Sequence, residues 1–184
     1  MINKSIDFLK EVEGYRTEYY IPKDSNGNIL GHSGITIGLG IDLGQQSKHG
    51  MLKLDVNKVI VSKVKLALGV RGKEACSVLY KLPKLTSDEV YSLSVAIVER
   101  GLEVLRERLN TIYKTLPDEV IVIALSLHHQ FGYKLFSYNA WKQIKNKDYK
   151  GLLKNLRNFG CNYPTRRNIE ANYLERALNK QGLL

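Results

Sequence analysis

Residues 13–44 read EGYRTEYYIPKDSNGNILGHSGITIGLGIDLG, and the reading of this stretch decides the fold. It begins where a helix-patterned segment, 3–13, comes to an end. Ile2, Ile6 and Leu9 fall on one stripe at spacings of four and three, and Glu13 continues that stripe. Asp7 and Glu11 lie on another face, so Glu11 reads as a solvated helix charge while Glu13 follows the apolar side. Asn3 or Ser5 can cap the helix and Gly14 can stop it. A carboxyl group placed there, against an apolar surface and the negative pole of a helix, suits the task of a general acid.

From Tyr15 to Gly50 the signals are those of turns and short strands. Pro22, the run Asp24-Ser25-Asn26-Gly27 and Gly31 punctuate turns. Strands are expected at 19–21, 28–30 and 35–37. Gly34, Gly38, Gly40 and Gly44 permit close backbone approach. The run GITIGLG has a superficial likeness to a nucleotide-binding loop. No buried strand precedes it, no βαβ unit surrounds it and no Gly-Lys-Ser/Thr follows, so a nucleotide role is rejected.

Beyond Met51 the period is helical. Helices are expected over 56–68, 73–82, 86–110, 117–132, 136–145, 148–157 and 165–180. The apolar run Val120-Ile121-Val122-Ile123-Ala124-Leu125 marks the buried central one. There is no internal repeat and no linker. The expected class is therefore α+β, mostly α, in one domain spanning 1–184: a first helix (1–14), a small β-hairpin lobe (15–50) and a larger helical lobe (51–184).

Composition narrows the function. The longest apolar run is far short of a membrane span. The first residues lack a basic segment followed by an apolar one, so no secretory signal is expected. Cys76 and Cys161 read as free thiols. No metal is expected: Cys/His ligand spacing is lacking, and adjacent His128 and His129 point about 100° apart on a helix. No other cofactor is implied. The formal net charge of +10 predicts attraction to a polyanion. No nucleic-acid-binding motif accompanies it. Trp141 reads as core, and the last helix as packed in the bundle rather than on a membrane.

Four landmarks in order now carry a resemblance: Glu13-Gly14, Thr36-Ile37-Gly38-Leu39-Gly40, the apolar helix 124–132 with Gln130 before Gly132, and Pro164-Thr165-Arg166-Arg167. The chain resembles the phage-lysozyme-like muramidase superfamily, and within it the lysozyme-like domain of pesticin-type toxins. The resemblance implies a lysozyme-like fold and hydrolysis of the β-1,4 bond between N-acetylmuramic acid and N-acetylglucosamine in peptidoglycan, with an inverting outcome. That outcome needs two carboxyl groups about 6.5–9.5 Å apart. It also implies Glu13 as the acid, Thr36 and a second carboxylate around the attacking water, Gln130 as a sugar contact and Arg166 as a supporting cation beside the acid.

Two residues compete as that second carboxylate. Asp24 sits in Lys23-Asp24-Ser25-Asn26-Gly27, a composition that explains itself as a turn. Asp42 lies between Ile41 and Leu43, where a turn does not ask for an aspartate. Asp42 also follows Thr36 by six positions, the pesticin-like order, and is preferred; Asp24 stays as the alternative. The resemblance further implies synthesis in the cytoplasm and action in the periplasm or cell wall, as an antibacterial toxin or an endolysin. Delivery would be by a holin, secretion or import, and an immunity protein is a possible partner. A non-catalytic peptidoglycan-binding module with the same fold is the rival reading.

Overall fold

The computed structural model describes residues 1–159 and 163–184; Cys161 lies outside them. The described chain is mostly helical with one small antiparallel sheet, the expected mostly-α α+β class. In order, the elements are α1 (Ile2–Glu13), β1 (Arg16–Tyr20), β2 (Thr36–Gly38), β3 (Ile41–Asp42), α2 (Lys48–Leu52), α3 (Lys58–Val64), α4 (Gly72–Leu79), α5 (Ser87–Leu109), α6 (Asp118–Phe131), α7 (Asn139–Asn146), α8 (Tyr149–Arg157) and α9 (Pro164–Lys180). Short 3-10 turns join several of them. The chain divides into two compact units, Leu9–Arg100 and Met1–Phe8 with Gly101–Leu184. The divisions fall within α1 and α5, and the unit that holds the sheet also takes in α2, α3 and α4.

In the sheet-containing unit the strand order is β1-β2-β3, antiparallel throughout. Tyr20 faces Thr36, Thr36 faces Asp42, and Ile37 faces Ile41. The β2–β3 turn is Gly38-Leu39-Gly40, with φ of +62° at Gly38 and +75° at Gly40, a region that L side chains enter only with strain. Beneath the sheet, Ile35, Ile37, Ile41 and Leu43 are fully buried with Met51, Ile60, Val61, Val64, Val90 and Leu93. Each large aliphatic side chain removed from water there contributes about 1.5–3 kcal/mol. The long helix α5 opens with a reciprocal cap: Thr86 N–H donates to Glu89 Oε2, and Glu89 N–H donates to Thr86 Oγ1.

The strands differ from expectation in position. β1 begins at Arg16, earlier than 19–21. Segment 28–30 forms no strand; Ile29 makes one bridge to Lys23, closing a turn. β3 is two residues long, too short to show any alternation in sequence. Asp42 then ends it by capping the next turn.

In the other unit every residue from Val120 to Leu127 in α6 is buried, so α6 is the central helix the apolar run implied. α7 and α9 pack against it, and α8 packs on α7 and α9. Gly101 on α5 is a close approach: a Cβ there would meet Leu125 Cδ1 of α6 at 2.5 Å. Trp141 is buried against Phe136, with ring centroids 4.7 Å apart. Among the described residues no helix is long and apolar enough to cross a membrane.

Candidate active site

Glu13, Thr36 and Asp42 all belong to the sheet-containing unit. Glu13 is the last residue of α1, where Gly14 N–H closes the final turn on Lys10 O at 3.0 Å. Its carboxyl lies against the β2–β3 turn: a Cβ added at Gly40 would stand 3.3 Å from Glu13 Oε2. The glycines of Thr-Ile-Gly-x-Gly thus have separate physical reasons. Gly38 makes room for Ser94 Oγ, 2.6 Å from where its Cβ would be, and Gly40 makes room for the glutamate.

Thr36 is buried and donates from Oγ1 to Gly34 O at 3.3 Å. It stands directly opposite Asp42 on one side and Tyr20 on the other. Residues paired in this way put their side chains on the same face of a sheet. Tyr20, Thr36 and Asp42 therefore form one row.

Asp42 has a structural task that the sequence argument denied it. Its Oδ1 accepts from Gly44 N–H at 2.9 Å, capping the 3-10 turn Leu43–Gln45, and from Gly34 N–H at 3.1 Å. Its Oδ2 has only a longer contact with Gly34 N–H, 3.3 Å. The expectation that no turn asks for an aspartate here is corrected: the turn after β3 uses one. The knot is tight, since Gly34 and Gly44 pass so closely that a Cβ on Gly34 would lie 2.6 Å from Gly44 Cα. Arg71 closes it, donating from Nε to Gly44 O at 2.7 Å.

Asp24 is fully engaged in its own turn. Its Oδ1 accepts from the N–H groups of Asn26 and Asn28, both at 2.9 Å, and its Oδ2 from Asn28 Nδ2 at 3.3 Å. The Asn28 backbone bond leads in holding this exposed carboxyl below the usual carboxylate range.

Gln130 and Arg166 belong to the other unit. Arg166 donates from Nε to Glu170 Oε1 at 3.2 Å and from a terminal nitrogen to both oxygens of Ser126, each at 3.0 Å. Gln130 Oε1 accepts a short hydrogen bond from Arg167. The sequence reading gave no role to Arg167 or Glu170, yet both are tied to these two residues. Arg167 is 1% exposed and Glu170 is completely buried. Arg167 Nη1 stands 2.5 Å from Glu170 Oε2, a close ion pair without the alignment of a hydrogen bond. The guanidinium of Arg167 also covers the stacked rings of Phe131 and Phe159 at 5.6 and 5.4 Å. Burial raises the Glu170 carboxyl, against the pull of Arg167, Ser126 and Arg166. The usable signal was the spacing Arg166-Arg167-Asn168-Ile169-Glu170, which puts both arginines within one helical turn of the glutamate.

His128 lies among Tyr133 and Phe136, with ring centroids 5.9 and 5.8 Å away. Cys76 is a half-buried free thiol. Among the described residues, no group of three or more His, Cys, Asp or Glu could hold a metal ion.

A comparison with curated proteins finds no match. A comparison with family models matches residues 3–150 to the family described as "Pesticin: Bacterial toxin homologue of phage lysozyme, C-term". That match takes in the helix ending in Glu13, the whole sheet with its Thr-Ile-Gly-x-Gly turn, and α6. The chain belongs to the pesticin family of lysozyme-like bacterial toxins.

Proposed function

We propose that the protein is a muramidase that hydrolyses the β-1,4 bond between N-acetylmuramic acid and N-acetylglucosamine in peptidoglycan. The carrying observation is the seating of Glu13 on Gly40, at the turn of a hairpin whose second rung pairs Thr36 with Asp42. Family membership supports it, because the family is one of toxin homologues of phage lysozyme.

In this reading Glu13 gives its proton to the glycosidic oxygen as the C1–O bond breaks. A water attacks C1 from the opposite face of the ring and loses its proton to Asp42, the inverting course. Two backbone N–H groups hold Asp42 Oδ1, which leaves Oδ2 the greater capacity to accept from that water. Thr36 steadies the same water; for Gln130 a sugar contact and for Arg166 a supporting charge are proposed from the family resemblance alone. Asp24 is the alternative second carboxylate; its hydrogen bonds to Asn26 and Asn28 weigh against it. The protein acts on the wall as an antibacterial toxin or an endolysin, reaching it by secretion, import or holin release. An immunity protein is the proposed partner if it acts as a toxin.

The test is product analysis. Purified peptidoglycan incubated with the protein is expected to yield soluble glycan with new reducing ends on N-acetylmuramic acid. New reducing ends on N-acetylglucosamine would overturn the bond assignment. One observation favours a second reading, a non-catalytic wall-binding module: Asp42 has a turn to hold together whatever its chemistry. That module would pellet with peptidoglycan and release no reducing ends.

A further inference from the structure

Tyr20 is a half-buried residue at the end of β1, and the chemistry above leaves it unused. Three observations converge on it. First, it is paired with Thr36, which is paired with Asp42, so the three side chains share one face of the sheet in a single row. Thr36 is short, and the phenol beside it carries its hydroxyl farther from the sheet than the threonine does. Second, the ring is fixed from its own strand: the Arg16 guanidinium lies over it, 4.4 Å from the centroid. Third, its hydroxyl lies in the field of both candidate carboxylates. Burial raises this phenol; Arg16 opposes the rise, and the charges of Glu13, from α1, and Asp42, from β3, add to it. The group is thus a neutral O–H over the range in which carboxylates titrate, able to donate where carboxylates can only accept.

We propose that Tyr20 is a further catalytic residue of this site, its hydroxyl donating a hydrogen bond to the attacking water that Asp42 and Thr36 also hold. The proposal rests on the muramidase reading. Its physical sense is that a water held by acceptors alone keeps rotational freedom. A donor fixes its oxygen and points a lone pair at C1, while one O–H of the water faces Asp42. No covalent step involves the tyrosine. Its proton stays on the phenol, and the proton lost by water goes to Asp42.

The experiment uses the full chain and purified peptidoglycan, reading new reducing ends, with kcat and KM taken per mole of folded protein at a temperature well below every variant's Tm. Wild type and Glu13→Gln are measured first. Tyr20→Phe keeps the ring and its contact with Arg16 and removes only the hydroxyl. The expected result is kcat lowered at least tenfold, KM within about twofold of wild type, and no recovery with Tyr20→Leu. An active wild type with an unchanged kcat in Tyr20→Phe overturns the role of Tyr20 and leaves the muramidase reading standing. A tenfold rise in KM at constant kcat also overturns it, since it assigns Tyr20 to ground-state binding of sugar. A wild type that releases no reducing ends overturns both.

Discussion

Asp42 joins an observed structural role to a proposed chemical one. Oδ1 gathers Gly34 and Gly44 into a knot, and Oδ2 is the atom the proposed chemistry would use. The two roles separate by substitution. Asp42→Asn keeps an oxygen that can accept from both N–H groups and loses the charge and the basicity. Its Tm is expected within a few degrees of wild type while peptidoglycan hydrolysis falls at least a hundredfold. Asp42→Ala loses both hydrogen bonds, the cap among them, and is expected to cost in addition about 1–3 kcal/mol in a urea titration. Full activity in Asp42→Asn would show that Asp42 acts only as a cap. Both glycines and the aspartate of this knot were visible in the sequence, but their mutual contact was not. A side chain that caps a turn from within an apolar run leaves no compositional mark, and the partner Gly34 is set by the sheet rather than by local sequence. Gly40 could be read as a turn residue in isolation. Its second reason, the carboxyl of Glu13 lying 3.3 Å from where a Cβ would be, depends on where α1 ends relative to β2–β3. A Gly40→Ala variant is accordingly expected to displace Glu13 and lower kcat at least tenfold, measured by the same release of reducing ends. Unchanged turnover would mean the contact is incidental.

At the scale of elements, helix period was the legible signal and strand position was not. α6, α8 and α9 lie within a residue or two of the expected ranges because apolar spacing, Asp148 at the start of α8 and Pro164 at the start of α9 mark them locally. The sheet depends on pairing across the chain. Segment 28–30 has the composition of a strand, yet Leu30 is 44% exposed and its neighbour Ile29, though packed on the core, makes only an isolated bridge to Lys23. Arg166 was expected as a supporting cation and Gln130 as a separate sugar contact, but only packing against α6 reveals that Arg167 donates to Gln130. The last turn of α6 carries a testable titration. Burial, assisted by His129, pushes His128 down from the ordinary 6.5 to about 4. A histidine depressed on folding favours its neutral form in the native state. That contribution is complete above about pH 6.5 and is lost as pH falls toward about 4. Between pH 7 and pH 4.5 the loss is expected to be on the order of 2–3 kcal/mol in urea unfolding. His128→Gln is expected to remove that part of the acid sensitivity. An equal loss in the variant would place the acid sensitivity elsewhere.

Over the whole molecule, 28 basic side chains stand against 18 acidic ones. Part of the excess is organised: Lys150, Lys154 and Arg157 follow one another along α8 at helical spacing and line a groove with Glu175 and Asn179 of α9. Arg157 is tied to Glu175 at 2.7 Å, so the two lysines give the groove its net sign. Such a surface speeds encounter with an anionic wall, an effect that salt screens. Initial rates on intact sacculi are expected to fall about tenfold between 0.05 and 0.5 M NaCl, with little change on short neutral glycan fragments, because only the former engage the long-range field. Equal losses on both substrates would locate the salt effect in the site itself. The order of landmarks along 1–184 made the family legible, whereas the buried Arg167–Glu170 pair and the Asp42 knot became visible only once the chain was folded. The proposed hydrolysis depends on Glu13 as its acid. Its most direct test is Glu13→Gln, which preserves size and hydrogen-bonding capacity while removing the transferable proton. Wild type is predicted to release N-acetylmuramic acid reducing ends from purified peptidoglycan, and Glu13→Gln to retain the wild-type Tm with at least a hundredfold lower rate; a folded Glu13→Gln that cleaves at the wild-type rate would contradict the account.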